Sequence, residues 1–172
     1  MLNWVNMKFT TRKLTTTSLL IALGVILSII DSFIPGFVPG MKLGLANIII
    51  LIALYNYGFL DTLFINLMRV FLASFLRGTF LSMGFFMSLS GAFISLLVMY
   101  LLMRFVKKLH IVGVSVIGSL FHSLAQICVA IIYLGTSNVI YYLPILCFTS
   151  ILTGIFVGIS ALYINKLNLI KE

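Results

Sequence analysis

Residues 59–76 read FLDTLFINLMRVFLASFL. As α-helix the stretch rises about 27 Å, close to the roughly 30 Å hydrocarbon core of a bilayer. It reads as a membrane-spanning helix with one misplaced residue, Arg69. A cation at mid-depth costs about 3 kcal/mol on insertion scales and normally faces protein or water. At 100° per residue, Thr62, Asn66, Arg69, Ala73 and Arg77 share one face of that helix. Arg69 and Arg77 lie about 12 Å apart along the axis. Arg77, at the end of the stretch, reads as an interfacial side chain reaching the headgroups or as the mouth of the stripe. Arg69 is too deep for the first role. It has a binding role, or it is a buried arginine satisfied by helix carbonyls and Asn66.

The rest of the chain places this helix in an integral membrane protein. It is 62% hydrophobic and 8% charged, with a mean hydropathy of +1.26. Soluble domains carry about a quarter charged residues. Six apolar stretches emerge: Leu14–Ile30, Leu43–Tyr57, Phe59–Leu76, Thr79–Met103, Ile111–Leu134 and Val139–Ile164. The expected fold is all-α: one bundle of six transmembrane helices over residues 14–165. Residues 1–13 are a cytoplasmic N-terminal segment and 166–172 a cytoplasmic tail. Residues 1–13 are polar or basic and the apolar run after them lacks an A-x-A-like site, so no cleavable signal peptide is expected.

Charge orients the bundle. Eleven Lys and Arg stand against three acids, Asp31, Asp61 and Glu172. Lys8, Arg12 and Lys13 precede the first span, Arg104, Lys107 and Lys108 separate the fourth from the fifth, and Lys166 and Lys171 follow the sixth. With six spans all eight fall on one face, and the positive-inside rule makes that face cytoplasmic. The opposite face receives Lys42, Arg77 and Asp31. The pI near 9.8 invites a nucleic-acid reading. The cations flank apolar spans instead of striping a soluble face, so nucleic acid is excluded as a partner. Cys128 and Cys147 lie inside apolar spans and read as buried reduced thiols, with no zinc spacing.

Other polar residues add to the stripe around Arg69. Ser115, Ser119, His122, Gln126 and Tyr133 form a stripe on the fifth span, and His122 and Gln126 project together one turn apart. They serve a polar ligand or join helices by hydrogen bonds. His110 reads as solvated. Lys42, Gly44 and Asn47, at the start of the second span, form an anion-receiving corner, because free N–H groups at a helix start favour anions. Asp31 is expected to pair with Lys42 or Arg77, and Asp61 is a helix-start acid. The stretch from Asp31 to Lys42 holds two Pro-Gly pairs and reads as a lid-like segment or an ordinary hairpin connection. Small residues three or four apart mark close helix contacts: Ser150, Gly154 and Gly158; Gly84, Ser88, Gly91 and Ser95; and Ser18 with Ala22, which would suit a neighbouring helix or a partner subunit.

Hydrolase, nucleotide-loop and zinc-protease motifs are missing, as are paired aspartates. With two Asp and a terminal Glu, a carboxylate-held magnesium site is not expected, and neither a metal nor a cofactor is expected. No intramembrane acid is expected to carry a proton or sodium cycle. The composition points to a binder or subunit and not to an enzyme.

Several segments together carry a family resemblance. They are Arg12-Lys-Leu-Thr15, Ile34-Pro-Gly36, Lys42-Leu-Gly-Leu-Ala-Asn47, Arg69, Ser88-Leu-Ser-Gly91, Gly118-x-x-x-His-Ser-Leu-Ala-Gln126, Tyr142-Leu-Pro144 and Thr153-Gly-Ile-Phe-Val-Gly158. From about Arg12 to about Ile164 the chain resembles the family labelled heptaprenyl diphosphate synthase component I, also called the Gx transporter family. Lys-Leu-Gly-Leu-Ala-Asn and His-x-x-x-Gln are its more specific parts. The six-helix pattern is similar to the substrate-binding S components of energy-coupling factor transporters. That resemblance implies a bacterial plasma-membrane protein that binds a vitamin-like solute from outside and docks on a transmembrane coupling subunit driven by two cytoplasmic ATPases. Ser18 and Ala22 match the docking position. The synthase label implies instead a non-catalytic subunit in isoprenoid or menaquinone side-chain synthesis, because the aspartate-rich motifs that bind magnesium diphosphate are absent. The expected ligand is a small anionic solute or a prenyl diphosphate. Lys42, Arg77 and Arg69 would meet its charge, Asn47, Asn66, His122 and Gln126 would orient it, and membrane lipid surrounds the bundle.

Overall fold

A computed structural model describes residues 11–34, 42–106 and 108–166. The described residues form six helices: α1 (Thr11–Phe33), α2 (Asn47–Tyr57), α3 (Phe59–Leu76), α4 (Met83–Phe105), α5 (Ile111–Leu134) and α6 (Leu143–Lys166). A short 3₁₀ turn, Ser137–Tyr142, leads into α6, and Pro144 in the first turn of α6 suits a position where no helical N–H is needed. Five of the helices are long and apolar enough to cross a membrane. The outer surface agrees with that: Phe75, Phe148 and Ile132 face outward, while Asp31, Arg69, His122 and Gln126 lie inside. An apolar exterior around a polar interior is what lipid, not water, selects. The chain is a multi-pass membrane protein.

The second span departs from expectation. Residues 43–57 are largely apolar, yet the helix occupies only 47–57, about 16 Å long. Residues 42–46 are non-helical. Gly44 has φ +90°, a conformation that strains any other residue, and it turns the chain into α2. All eight residues from Asn47 to Leu54 are buried. A helix enclosed all round has no outer face, so α2 sits at the centre and touches the five others. It reaches α3 through a single residue, Gly58, at φ +83°.

Lys13 Nζ meets Asp61 Oδ2 at 2.8 Å, tying the start of α1 to the start of α3. Asn56 Nδ2 donates to Asn165 Oδ1 at 3.3 Å, tying the end of α2 to the end of α6. The starts of α1, α3 and α5 and the ends of α2, α4 and α6 therefore share one end of the bundle, here called the base. Asp61 lies in the first turn of α3 as expected, with Lys13 as an added partner.

The dry core fills the base. Ile48–Leu54, Leu20, Ile65, Leu96, Met99, Val114 and Val157 form its main cluster. The ladder Ser150, Gly154 and Gly158 is a helix contact, as expected. A Cβ on Gly154 would stand 2.7 Å from Val116 Cα, and one on Gly158 would stand 2.7 Å from Val112 Cα. Ser150 and Ser123 share a hydrogen bond of 2.6 Å across the same α5–α6 seam. Ser18 and Ala22 lie exposed on the outside of α1. Cys128 is exposed and Cys147 half-buried, which corrects the expectation of two buried thiols: each sits on an apolar helix but faces away from the interior. Most of the lid-like stretch, residues 35–41, lies outside the described residues.

Candidate functional site

Arg69 points from mid-height of α3 toward the end of the bundle opposite the base. Gly24 of α1 gives it passage, since a Cβ there would meet Arg69 Cδ at 3.2 Å. Three neutral acceptors receive the guanidinium. Nε donates to Asn66 Oδ1 at 3.0 Å, Nη1 to Ser28 Oγ at 3.1 Å and Nη2 to Asn47 Oδ1 at 3.4 Å. Asn66 Nδ2 donates in turn to the Ala92 carbonyl at 2.8 Å. Arg69 is thus held by hydrogen bonds but makes no ion pair among the described residues. Asn66 was the expected partner; the other two come from α1 and α2 and not from helix carbonyls.

The anion-receiving corner exists, and an internal carboxylate fills it. Asp31 lies in the last turn of α1 and is 2% exposed. Its Oδ1 accepts the Leu43 N–H at 3.1 Å, and its Oδ2 accepts those of Gly44 at 2.8 Å and Leu45 at 3.2 Å. This overturns one expectation: Asp31 makes no ion pair with Lys42 or Arg77, and backbone donors engage both its oxygens instead. The first helix extends past Ile30 and encloses Asp31 within the bundle.

His122 and Gln126 complete the wall from α5. Gln126 Oε1 accepts the Lys42 backbone N–H at 3.1 Å, so the amide NH₂ faces His122 Nε2 at 2.7 Å. Nε2 therefore accepts and the imidazole hydrogen sits on Nδ1. That edge lies against Gly91 of α4, where a Cβ would stand 2.9 Å from the ring, and Nδ1 lacks a well-formed partner. Asn47 Nδ2 is also buried without a partner. Of the α5 stripe, Ser115, Ser119, His122 and Gln126 are buried, whereas Tyr133 is exposed, which removes it from the interior.

A small cavity lies among Ser28, Asp31, Lys42, Gly44, Arg69, Ala73, Ser88 and His122, with room for about one water. Lys42 reaches it from the non-helical segment. Arg77 does not line it. Its Nε donates to the Ala73 carbonyl at 3.0 Å, one turn beyond the cavity wall, though its charge still acts on Lys42. Burial and Asp31 oppose each other on Arg77, and burial prevails, lowering its pKa from the ordinary guanidinium value. The structure thus gathers Lys42, Asn47, Asn66, Arg69, His122 and Gln126 and leaves Arg77 at the rim. Three features escape a reading of the sequence: Ser28, the clamp role of Asp31, and the room made by Gly24; Gly91 was expected to mark a close contact, but not that the His122 ring fills it. Ser28 and Gly24 are one turn apart on α1, which is the only local hint they carry.

Among the described residues no group of histidine, cysteine, aspartate and glutamate is placed to hold a metal ion. The spare polar capacity at the cavity is mostly donor, with Ser88 Oγ, whose hydrogen goes to the Gly84 carbonyl, as a neutral acceptor. Both oxygens of Asp31, the acid there, accept backbone N–H groups, while Lys42 and the free Nη–H groups of Arg69 remain as donors, with His122 Nδ1–H and Asn47 Nδ2–H unpaired nearby. Neither a curated protein nor a solved structure matches the chain. The family described as heptaprenyl diphosphate synthase component I matches residues 20–164. With most of its length inside that match, the chain belongs to the heptaprenyl diphosphate synthase component I family.

Proposed function

We propose that this protein is a membrane-embedded binding subunit for a small anionic solute, with the base of the bundle in the bacterial cytoplasm. The observation that carries the reading is the excess of donors at the cavity, two of them cationic, over its free acceptors. Acceptor-only groups such as phosphate, diphosphate or carboxylate satisfy it, and a cationic or donor-rich ligand would leave Arg69 and Lys42 uncompensated. The chain itself binds and does not catalyse: the magnesium-binding carboxylates of prenyl transfer have no counterpart in its composition.

The reading extends to transport of the S-component kind. The solute enters from the end opposite the base, and partner ATPases supply energy through a coupling subunit. The exposed Ser18 and Ala22 on α1 support it, since small outward residues in a span suit close contact with another helix. The cavity holds only about one water, so this arrangement is a closed one and ligand entry requires the 42–46 segment to shift.

A second reading is favoured by the family description. As component I the chain would hold the diphosphate head of a prenyl lipid for a separate synthase component, with the same donors on the head group. Native mass spectrometry of the protein extracted from its own membrane distinguishes the two. A retained water-soluble anion with co-purified ATPase and coupling subunits supports transport. A retained prenyl diphosphate with an aspartate-rich soluble synthase supports the second. Unaltered ligand retention by the Arg69→Met and His122→Ala variants sinks both.

A further inference from the structure

Lys42 stands apart from the other cations. Lys13 has Asp61 and Arg69 has three acceptors, but the Lys42 ammonium makes no ion pair among the described residues. The charged and titratable groups around it come from three helices. Asp31 of α1 is the one acid, and the Leu43, Gly44 and Leu45 N–H groups hold both its oxygens. Arg69 of α3, and Arg77 at its end, present two further cations. His122 of α5 has Nε2 engaged by Gln126. A half-buried amine therefore shares a small cavity with the Arg69 guanidinium, Arg77 lies one turn beyond its wall, and the acid that would balance them is held by backbone.

We propose that the site takes up an anion and a proton together, and that the proton resides on Lys42 Nζ. In mildly alkaline solution the ligand-free site holds a neutral amine. An anionic ligand restores the missing counter-charge, the amine gains a proton from bulk water, and the ammonium so formed donates to the ligand. The balance is one amine, one proton and one anion giving one ammonium–anion pair, with no other group changing charge. The proposal rests on the anion-binding reading above and adds its coupling. Burial first, then Arg77 and Arg69, push the Lys42 amine down to about 7, against a smaller upward pull from Asp31. Below that value the amine is already charged and the ligand binds without proton uptake. Above it the apparent affinity falls about tenfold per pH unit until the amine of the liganded site also loses its proton.

Sulfate serves as the probe because it does not titrate between about pH 5.5 and 9. Calorimetry on the purified full chain in nanodiscs, in two buffers of different ionisation enthalpy, counts the protons taken up per sulfate. The expected result is close to one proton at about pH 8.5, near zero at about pH 5.5, and roughly a tenfold weakening per unit above about pH 7. Lys42→Arg carries a permanent charge and is expected to bind sulfate with a flat pH profile and no uptake. Mass-spectrometric mapping of Lys42 acylation against pH, on ligand-free protein, gives a reading independent of sulfate, with a half-point at about 7. Sulfate binding without proton uptake overturns this proposal alone, as does a Lys42→Arg variant that still takes up the proton. A Lys42 half-point near that of a free lysine overturns it whether or not sulfate binds. Failure to bind sulfate at any pH, with the Lys42 half-point still lowered, overturns the anion reading and this coupling with it.

Discussion

Ile50 and Arg69 are enclosed to nearly the same degree, at 0% and 5% exposure, yet the material around them differs. Around Ile50, α2 presents buried side chains in every direction to five neighbouring helices. Around Arg69, the guanidinium is held by specific hydrogen bonds, each to one atom of Ser28, Asn47 or Asn66. The base of the bundle tolerates any arrangement that fills space. The pocket around the guanidinium tolerates only one that satisfies donors, while apolar clusters around Ile127 and Phe85 pack the rest of that half. In lipid a helix has no hydrophobic incentive to leave the bilayer for the bundle, so packing and polar bonding must each hold their own part together. The division also separates stability from function: a bundle needing only to stay folded has no use for an arginine at mid-depth.

Substitutions test that separation. The largest effect is expected for Arg69→Met, which should weaken anion binding at least about a hundredfold, or roughly 2.7 kcal/mol. Its thermal midpoint should move much less, because a buried cation and its desolvation cost are removed together. Equilibrium binding and unfolding measured on one preparation separate the two. Leu51→Ala should do the reverse. It opens a cavity in the base and should lower stability by about 1–3 kcal/mol, under the soluble-core range because lipid replaces water in the reference state. The affinity of the folded fraction should stay unchanged, and a matching loss of affinity would break the division.

Two glycines sharpen it further. Gly154→Ala drives a methyl into the Val116 backbone, so the α5–α6 seam must part, at about 1–3 kcal/mol of stability in a denaturation series. Gly91→Ala meets the His122 ring instead, which Gln126 holds from the other side. About a tenfold loss of binding with little change in stability is expected, seen by comparing titration with melting. The smallest effect belongs to Lys13→Met. The Lys13–Asp61 pair is partly solvated, and its loss should change stability by no more than about 1 kcal/mol and leave binding unaltered.

Spans and polar stripes were legible because both are short-range patterns. Hydropathy located α3 and α5 to the residue, and helical spacing put Asn66 beside Arg69 and His122 beside Gln126. Contacts between stripes were less legible. Nothing near Asp31 in the sequence announces that its oxygens meet N–H groups twelve to fourteen residues later. Charge counting favours an ion pair because it ignores backbone donors. The same blindness placed the start of α2 too early: Leu43 and Leu45 are as apolar as Ile48 to Ile52 in the helix, but a positive φ at Gly44 and the Asp31 bonds hold them out of it. Gly24 reads as an ordinary small residue, and Gly91 as one rung of a packing ladder, until the side chains that occupy their missing Cβ positions are placed.

The Asp31 clamp has a practical consequence for chain length. By gripping Leu43, Gly44 and Leu45, it fixes the end of α1 against the start of α2 whatever the length of chain between them. The entropy of closing that stretch grows only logarithmically, about 0.6 kcal/mol for each doubling. Lengthening the chain between Phe33 and Lys42 with a reporter peptide is therefore expected to leave Leu43, Gly44 and Leu45 on the Asp31 carboxylate.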